Sequence, residues 1–104
     1  MSQNQAHEVA ETILQQMGGV GRIRAMLGVK QFVASPDGVS FQFPNKKRSA
    51  PNSVRVVLKG DDTYTVEFYR VARFSLQPLT THEGMYAEDL KGLFERTTGL
   101  YLSF

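Results

Sequence analysis

The chain contains no cysteine. That absence excludes a disulfide framework, a thiol nucleophile and any thiolate metal site, and it fits a reducing cytoplasm. Long apolar runs are missing too. No stretch approaches the roughly 20 residues that a bilayer-spanning helix needs, and the opening Met-Ser-Gln-Asn-Gln-Ala-His-Glu lacks the basic segment and apolar run of a signal peptide. The expectation is a soluble cytoplasmic protein without a membrane partner. Excess charge of one sign is scarce: twelve Lys and Arg stand against ten Asp and Glu, a formal +2, although the sequence pI is near 9.1. So small an excess points to nucleic acid only where the cations gather on one face.

The spacings that carry common catalytic chemistry are also absent. There is no G-x-S-x-G and no Ser-x-x-Lys for an activated serine. His7 and His82, the only histidines, lie far apart, and His82-Glu83 and Asp61-Asp62 are adjacent pairs whose side chains do not converge on one point. Gly18-Gly19-Val20-Gly21 invites a phosphate-loop reading, but it follows a helix rather than a strand and completes neither G-x-G-x-x-G nor Gly-Lys-Ser/Thr. A helix stop explains it better. Helix-turn-helix is the other reading of this region, with Arg22 and Arg24 on a second helix too short to read many bases. The expectation is therefore a non-enzyme, with no catalytic residue, cofactor or metal ligand assigned.

What is present is a packed globule of 104 residues, 41% apolar with seven Phe and four Tyr, long enough for one domain over residues 1–104. A chain of this size buries roughly 60 to 70 per cent of its unfolded surface. Its centre is Ser53 to Tyr69. Val54, Val56 and Leu58 alternate in one half, Tyr64, Val66 and Phe68 in the other, and Gly60-Asp61-Asp62 supplies the turn of a β-hairpin with one apolar face. Arg55, Lys59 and Glu67 fall on the opposite face, where unlike charges pair across the strands.

Helical spacing of Ala6, Val9, Ala10, Ile13, Leu14 and Met17 predicts a first helix over about 5–17, stopped by Gly18-Gly19. A short second helix follows from Val20 to Leu27, closed by Gly28. Extended alternation around Pro36-Asp37-Gly38 predicts a second hairpin, strands about 29–35 and 39–43. The linker from Pro44 to Asn52 reads as an exposed, mobile loop. Val71 to Leu76 either prolongs the last strand or forms a bulged edge, ended by Pro78. A last helix is predicted from Met85 to about Thr98, with Tyr86, Leu90, Leu93, Phe94 and Thr97 as its buried stripe and Gly99 beyond its end.

The fold class is thus α+β: a four-stranded antiparallel sheet of two hairpins, with the N-terminal and C-terminal helices on one face. Phe32, Val57, Tyr69 and Phe74 are candidates for the second face, which is more apolar than a purely solvated surface requires. Lys46-Lys47-Arg48 is the best candidate for phosphate contact, joined by Lys30, Arg55, Arg70 and Arg73 if their strands face the same side. The plainer reading is a solvated loop that keeps neighbouring strands from aggregating. Tyr64 and Phe68 belong to the core face and no RNP1-type string exists, which leaves only Tyr69 open to base stacking. The apolar terminus Leu100, Tyr101, Leu102 and Phe104 either packs on its own protomer or forms a two-fold dimer contact.

Gly18-Gly19, Met26-Leu27-Gly28-Val29-Lys30-Gln31-Phe32, Asp62-Thr63-Tyr64-Thr65-Val66-Glu67-Phe68 and Tyr86-Ala87-Glu88-Asp89-Leu90 through Thr98-Gly99-Leu100 together resemble a group of small, uncharacterised phage and prophage proteins. The resemblance implies a bacterial host cytoplasm and a phage-type accessory role, without an activity or site residue. Two functions are expected on this basis. One is a nucleic-acid-associated binding module, from the basic loop and pI. The other is a protein-interaction module, a host-protein inhibitor or a self-associating accessory protein, from the apolar terminus and the second sheet face.

Overall fold

The computed structural model describes residues 2–29, 32–47, 49–72 and 75–100, with side chains from residue 8 onward. Helix α1 (Ser2–Gln16) starts earlier than its apolar stripe required and buries Ala10, Ile13 and Leu14, joined by Met17 just past its end. Gly18 and Gly19, at φ 119° and 97°, turn the chain into α2 (Val20–Leu27), which buries Ile23 and Leu27. Both glycines sit where a β-carbon is disfavoured, so the pair acts as punctuation.

Five strands follow: β1 (Phe32–Ser35), β2 (Gly38–Gln42), β3 (Ser53–Leu58), β4 (Tyr64–Ala72) and β5 (Ser75–Met85). They form one antiparallel meander in the order β1-β2-β3-β4-β5. The central hairpin is β3 and β4, with Val54 opposite Phe68 and Val56 opposite Val66, and both pairs face the helices. Its turn places Asp62 at φ 64°, a left-handed conformation that Asp tolerates better than most residues, and Lys59 N–H donates to the Thr63 carbonyl at 2.8 Å. On β2, a β-carbon at Gly38 would collide with the Val56 carbonyl, so the close approach of β2 to β3 requires glycine there.

The sheet has five strands rather than the expected four, and Pro78 lies inside β5 instead of ending a strand. An edge strand bonds along one side only, so a residue without an N–H is tolerated. β5 also carries an extra residue on each side of its centre relative to β4, one between Pro78 and Thr80 and one between His82 and Met85, where Gly84 takes φ 67°. Such bulges break strict alternation, and with it the signal that marks a strand.

Helix α3 (Leu90–Thr98) is shorter than expected, because Met85 still belongs to β5 and a 3-10 turn (Ala87–Asp89) intervenes. Asp89 holds that turn: its Oδ2 accepts the Tyr86 N–H at 3.3 Å and its N–H donates to the Tyr86 carbonyl at 2.9 Å. Tyr86 is accordingly exposed rather than buried. Leu90, Leu93 and Phe94 are buried as their spacing predicted, and the fourth buried position is Thr98 rather than Thr97. The Thr98 hydroxyl donates to the Phe94 carbonyl at 2.7 Å and accepts the Leu100 N–H at 3.1 Å, so burial leaves no polar atom unpaired.

All three helices lie on one side of the sheet and share one core with it. Phe94 anchors α3 there, with its ring 5.1 Å from Phe43 and 6.2 Å from Phe41. Phe32, expected on the second face, instead packs edge-on against Phe41 at 5.2 Å, with the Arg24 guanidinium 5.3 Å above its ring. Phe32 and Ala34 share the helix side, and the alternate residue Val33 takes the other. Leu100 packs against the core. Tyr101, Leu102 and Phe104, the rest of the expected dimer contact, lie outside the described residues. So does Phe74.

Candidate functional site

The basic candidates divide between the two faces of the sheet. Arg55 pairs with Glu67 across β3 and β4, on the face away from the helices, at 3.5 Å between Nη1 and Oε1. Arg70 lies one residue beyond Tyr69 and therefore projects to the helix side, where its Nη1 donates to the carbonyls of Ala50 at 3.0 Å and Asn45 at 3.3 Å. Arg70 thus holds the loop in place. Lys46 and Lys47 are exposed on that loop. Lys30, Arg48 and Arg73 lie outside the described residues.

The loop between β2 and β3, expected to be exposed and mobile, is exposed at Lys46 and Lys47 but held by side-chain hydrogen bonds from Asn45, Asn52 and Arg70. Asn45 Nδ2 donates to the Pro51 carbonyl at 2.9 Å and to the Thr98 carbonyl at 3.1 Å, which joins the loop to the end of α3. Asn45 Oδ1 accepts the Lys47 N–H at 3.2 Å. Asn52 mimics a strand peptide, donating from Nδ2 to the Val71 carbonyl at 3.0 Å and accepting the Val71 N–H at 2.7 Å. Lys47 reaches the same helix end, since a β-carbon at Gly99 would lie 3.6 Å from its Nζ. A cation there faces the negative end of the helix dipole, a structural use for its charge. The run of cations in this loop does not point to these two asparagines. Their signal was the pair of Pro-Asn steps, Pro44-Asn45 and Pro51-Asn52, that bracket the loop, because Asn amides bond to nearby backbone.

The face away from the helices is covered by no described element. Its middle holds Arg55, Glu67 and Tyr69, ringed by Ser40, Gln42, Ser53, Thr65 and Thr81. Burial raises the Tyr69 hydroxyl above its usual range, helped by the neighbouring Glu67 carboxylate. Around this polar centre stand Val33, 57% exposed on β1, and Leu76, 62% exposed opposite Val71 on β5. Val57, also on this face, is buried between Gly38 and Thr65.

The histidines and turn aspartates stay apart. His82 lies on the helix side with its ring edge-on to Phe68 at 5.9 Å, and its Nε2 is 3.3 Å from the Thr80 hydroxyl. The His7 side chain is outside the described residues. Asp61 accepts the Thr63 hydroxyl at 2.6 Å and the Thr63 N–H at 3.2 Å, bonds that hold its carboxyl below the ordinary range. Lys59, Asp61, Thr63, Thr65 and Glu83 line an open cleft of about 360 Å³ beside it. Among the described residues no three His, Asp or Glu side chains group as metal ligands, and no helix is long and apolar enough to cross a membrane.

Compared with protein-family models, with curated proteins and with solved structures, the chain matches none.

Proposed function

We propose that this chain is a protein-interaction module that works through the open face of its sheet, in keeping with the accessory role that the phage-type resemblance implies. The observation that carries this reading is the electrostatic balance of that face. Arg55, its described strand cation, is paired with Glu67, while Arg70 lies on the other side and is occupied with loop carbonyls. A polyanion laid on this surface meets a carboxylate as soon as it meets the guanidinium, so little is gained per phosphate. A protein partner suits it better. Tyr69 and Arg55 are of the residue types enriched at protein interfaces and their hot spots, and Val33 and Leu76 add exposed apolar surface on the outer strands of the same face.

Site-specific photo-crosslinkers at Val33 and at Tyr69 test the reading in host extract. Support is one discrete protein crosslinked from both positions, competed by unlabelled chain and lost in Val33→Lys with Tyr69→Lys. Equal crosslinking from a helix-side position such as Lys91 removes it. A parallel titration against single- and double-stranded DNA and RNA at low salt tests the other class. If binding appears there, and replacing Lys46, Lys47 and Arg48 with Ala lowers the salt slope by up to about three phosphate equivalents, nucleic acid is the ligand instead.

A further inference from the structure

We infer that β5 is a self-association edge, and that two copies of this chain pair antiparallel along it about a two-fold axis at Thr81. The partner class follows from the edge itself. Among the described residues β5 is an outermost strand of eleven residues, bonded to β4 on one side, whereas the opposite edge strand β1 has four. A free strand edge presents backbone donors and acceptors that only another extended segment satisfies along its length. Edges that must stay unpaired usually carry Lys, inward charge, Pro or bulges; β5 has Pro78, which removes one donor per copy, and two bulges, but not the charges. Ser75–Met85 holds no Lys or Arg, and Glu83 is its only acidic residue. Two copies therefore meet without a row of like charges.

Symmetry about Thr81 singles out the occupant. In the register centred there, Thr81 faces Thr81, Thr80 faces His82, Leu79 faces Glu83, and Leu76 faces Tyr86 of the second copy. Leu76 and Tyr86 are two of the three large apolar side chains most exposed among the described residues, at 62% and 59%, and each stands five positions from Thr81. They also share a face. Leu76 lies opposite Val71 and Thr81 opposite Glu67, both away from the helices, and Met85 opposite Tyr64 puts extended Tyr86 (φ −93°, ψ 159°) back on that side. The bulges make this possible: one extra residue on each side of Thr81 shifts the alternation equally toward both ends. Irregularities that spoil pairing with an arbitrary strand thus fall opposite one another in a two-fold pair. An isologous contact needs such self-complementarity.

About a dozen residues per copy is below the 20 to 30 of a standard interface, so a dissociation constant near the micromolar range is expected. Sedimentation equilibrium over concentrations spanning that range is the first readout. Leu76→Lys with Tyr86→Lys places like charges opposite each other twice and should weaken the dimer at least tenfold. Leu76→Lys with Tyr86→Glu places opposite charges there and should recover most of that loss. Because the chain has no cysteine, Thr81→Cys adds a clean geometric readout: facing strand positions lie within disulfide range, so oxidation should give a covalent dimer while Ser40→Cys on the same face stays monomeric. Thermal melts confirm that each variant is folded. A wild type that stays monomeric at millimolar concentration overturns the inference, as does a dimer that ignores both charge variants or a Ser40→Cys variant that crosslinks as well as Thr81→Cys. A second copy on the edge and a different protein on the open face are separate events: a wild type that stays monomeric yet still crosslinks one protein from Val33 and Tyr69 sinks only the former.

Discussion

Asn52 and Val71 exchange two hydrogen bonds, amide to carbonyl at 3.0 Å and peptide N–H to amide oxygen at 2.7 Å, so a side chain continues the β3–β4 ladder one step past its last backbone pair. Asn52→Ala leaves both Val71 groups without partners and should cost about 1–3 kcal/mol. Asn52→Asp keeps the acceptor but loses the donor, and aims a carboxylate at a carbonyl. Urea melts that rank Asn52→Asp at least as damaging as Asn52→Ala support the peptide-mimic role; two silent variants contradict it.

Arg70 should behave as a loop anchor rather than a phosphate contact. Arg70→Ala frees the Asn45 and Ala50 carbonyls and should lower stability by about 1–3 kcal/mol while speeding amide exchange at Lys47 and Ala50. Arg70→Lys keeps a cationic donor but not the planar guanidinium that aims Nη1 at both carbonyls, so an intermediate loss is expected. Unchanged exchange in Arg70→Ala would show that the loop holds without it.

The central hairpin sets a ranking between its two faces. Val56→Ala and Phe68→Ala, both beneath the helices, should each cost about 1–4 kcal/mol, with Phe68 the larger. Arg55→Ala removes a half-exposed ion pair at 3.5 Å and should change stability by about 0–1 kcal/mol. Melting temperatures in the reverse order would mean the strand register is off by one residue.

Asp61 gives a pH signature. Its folded carboxyl titrates below the ordinary value of 3.8 because the Thr63 hydroxyl and N–H favour the charged form. A depressed folded value means the contribution is whole above the unfolded value and disappears as pH falls through the lower folded one. The urea midpoints of wild type and Asp61→Asn should therefore differ near neutral pH and converge as pH falls below the ordinary carboxyl value and through the lower folded one. A gap that widens on acidification would reverse the sign and refute the assignment.

The sequence by itself determined the central hairpin, its turn, the helix stops at Gly18-Gly19, Gly28 and Gly99, and the buried positions Ala10, Ile13, Leu14 and Met17, Ile23 and Leu27, and Leu90, Leu93 and Phe94 of the three helix stripes, but not Tyr86 and Thr97. The reason is local: alternation of Val54, Val56, Tyr64, Val66 and Phe68 and the helical spacing of Ile13, Leu14, Leu90, Leu93 and Phe94 record which side of each element leaves water. β5 left no such record. Thr80 and His82 on its helix side are polar, and the extra residues around its centre break the alternation, so pairing with β4 alone made it a strand. Tertiary structure also decided the fate of the cations. Which face an arginine takes is a matter of strand phase, but whether it stays free depends on distant carbonyls: Arg70 meets those of Asn45 and Ala50 only because the loop folds back beneath the end of α3, a contact between residues 45 and 98 that no local pattern encodes.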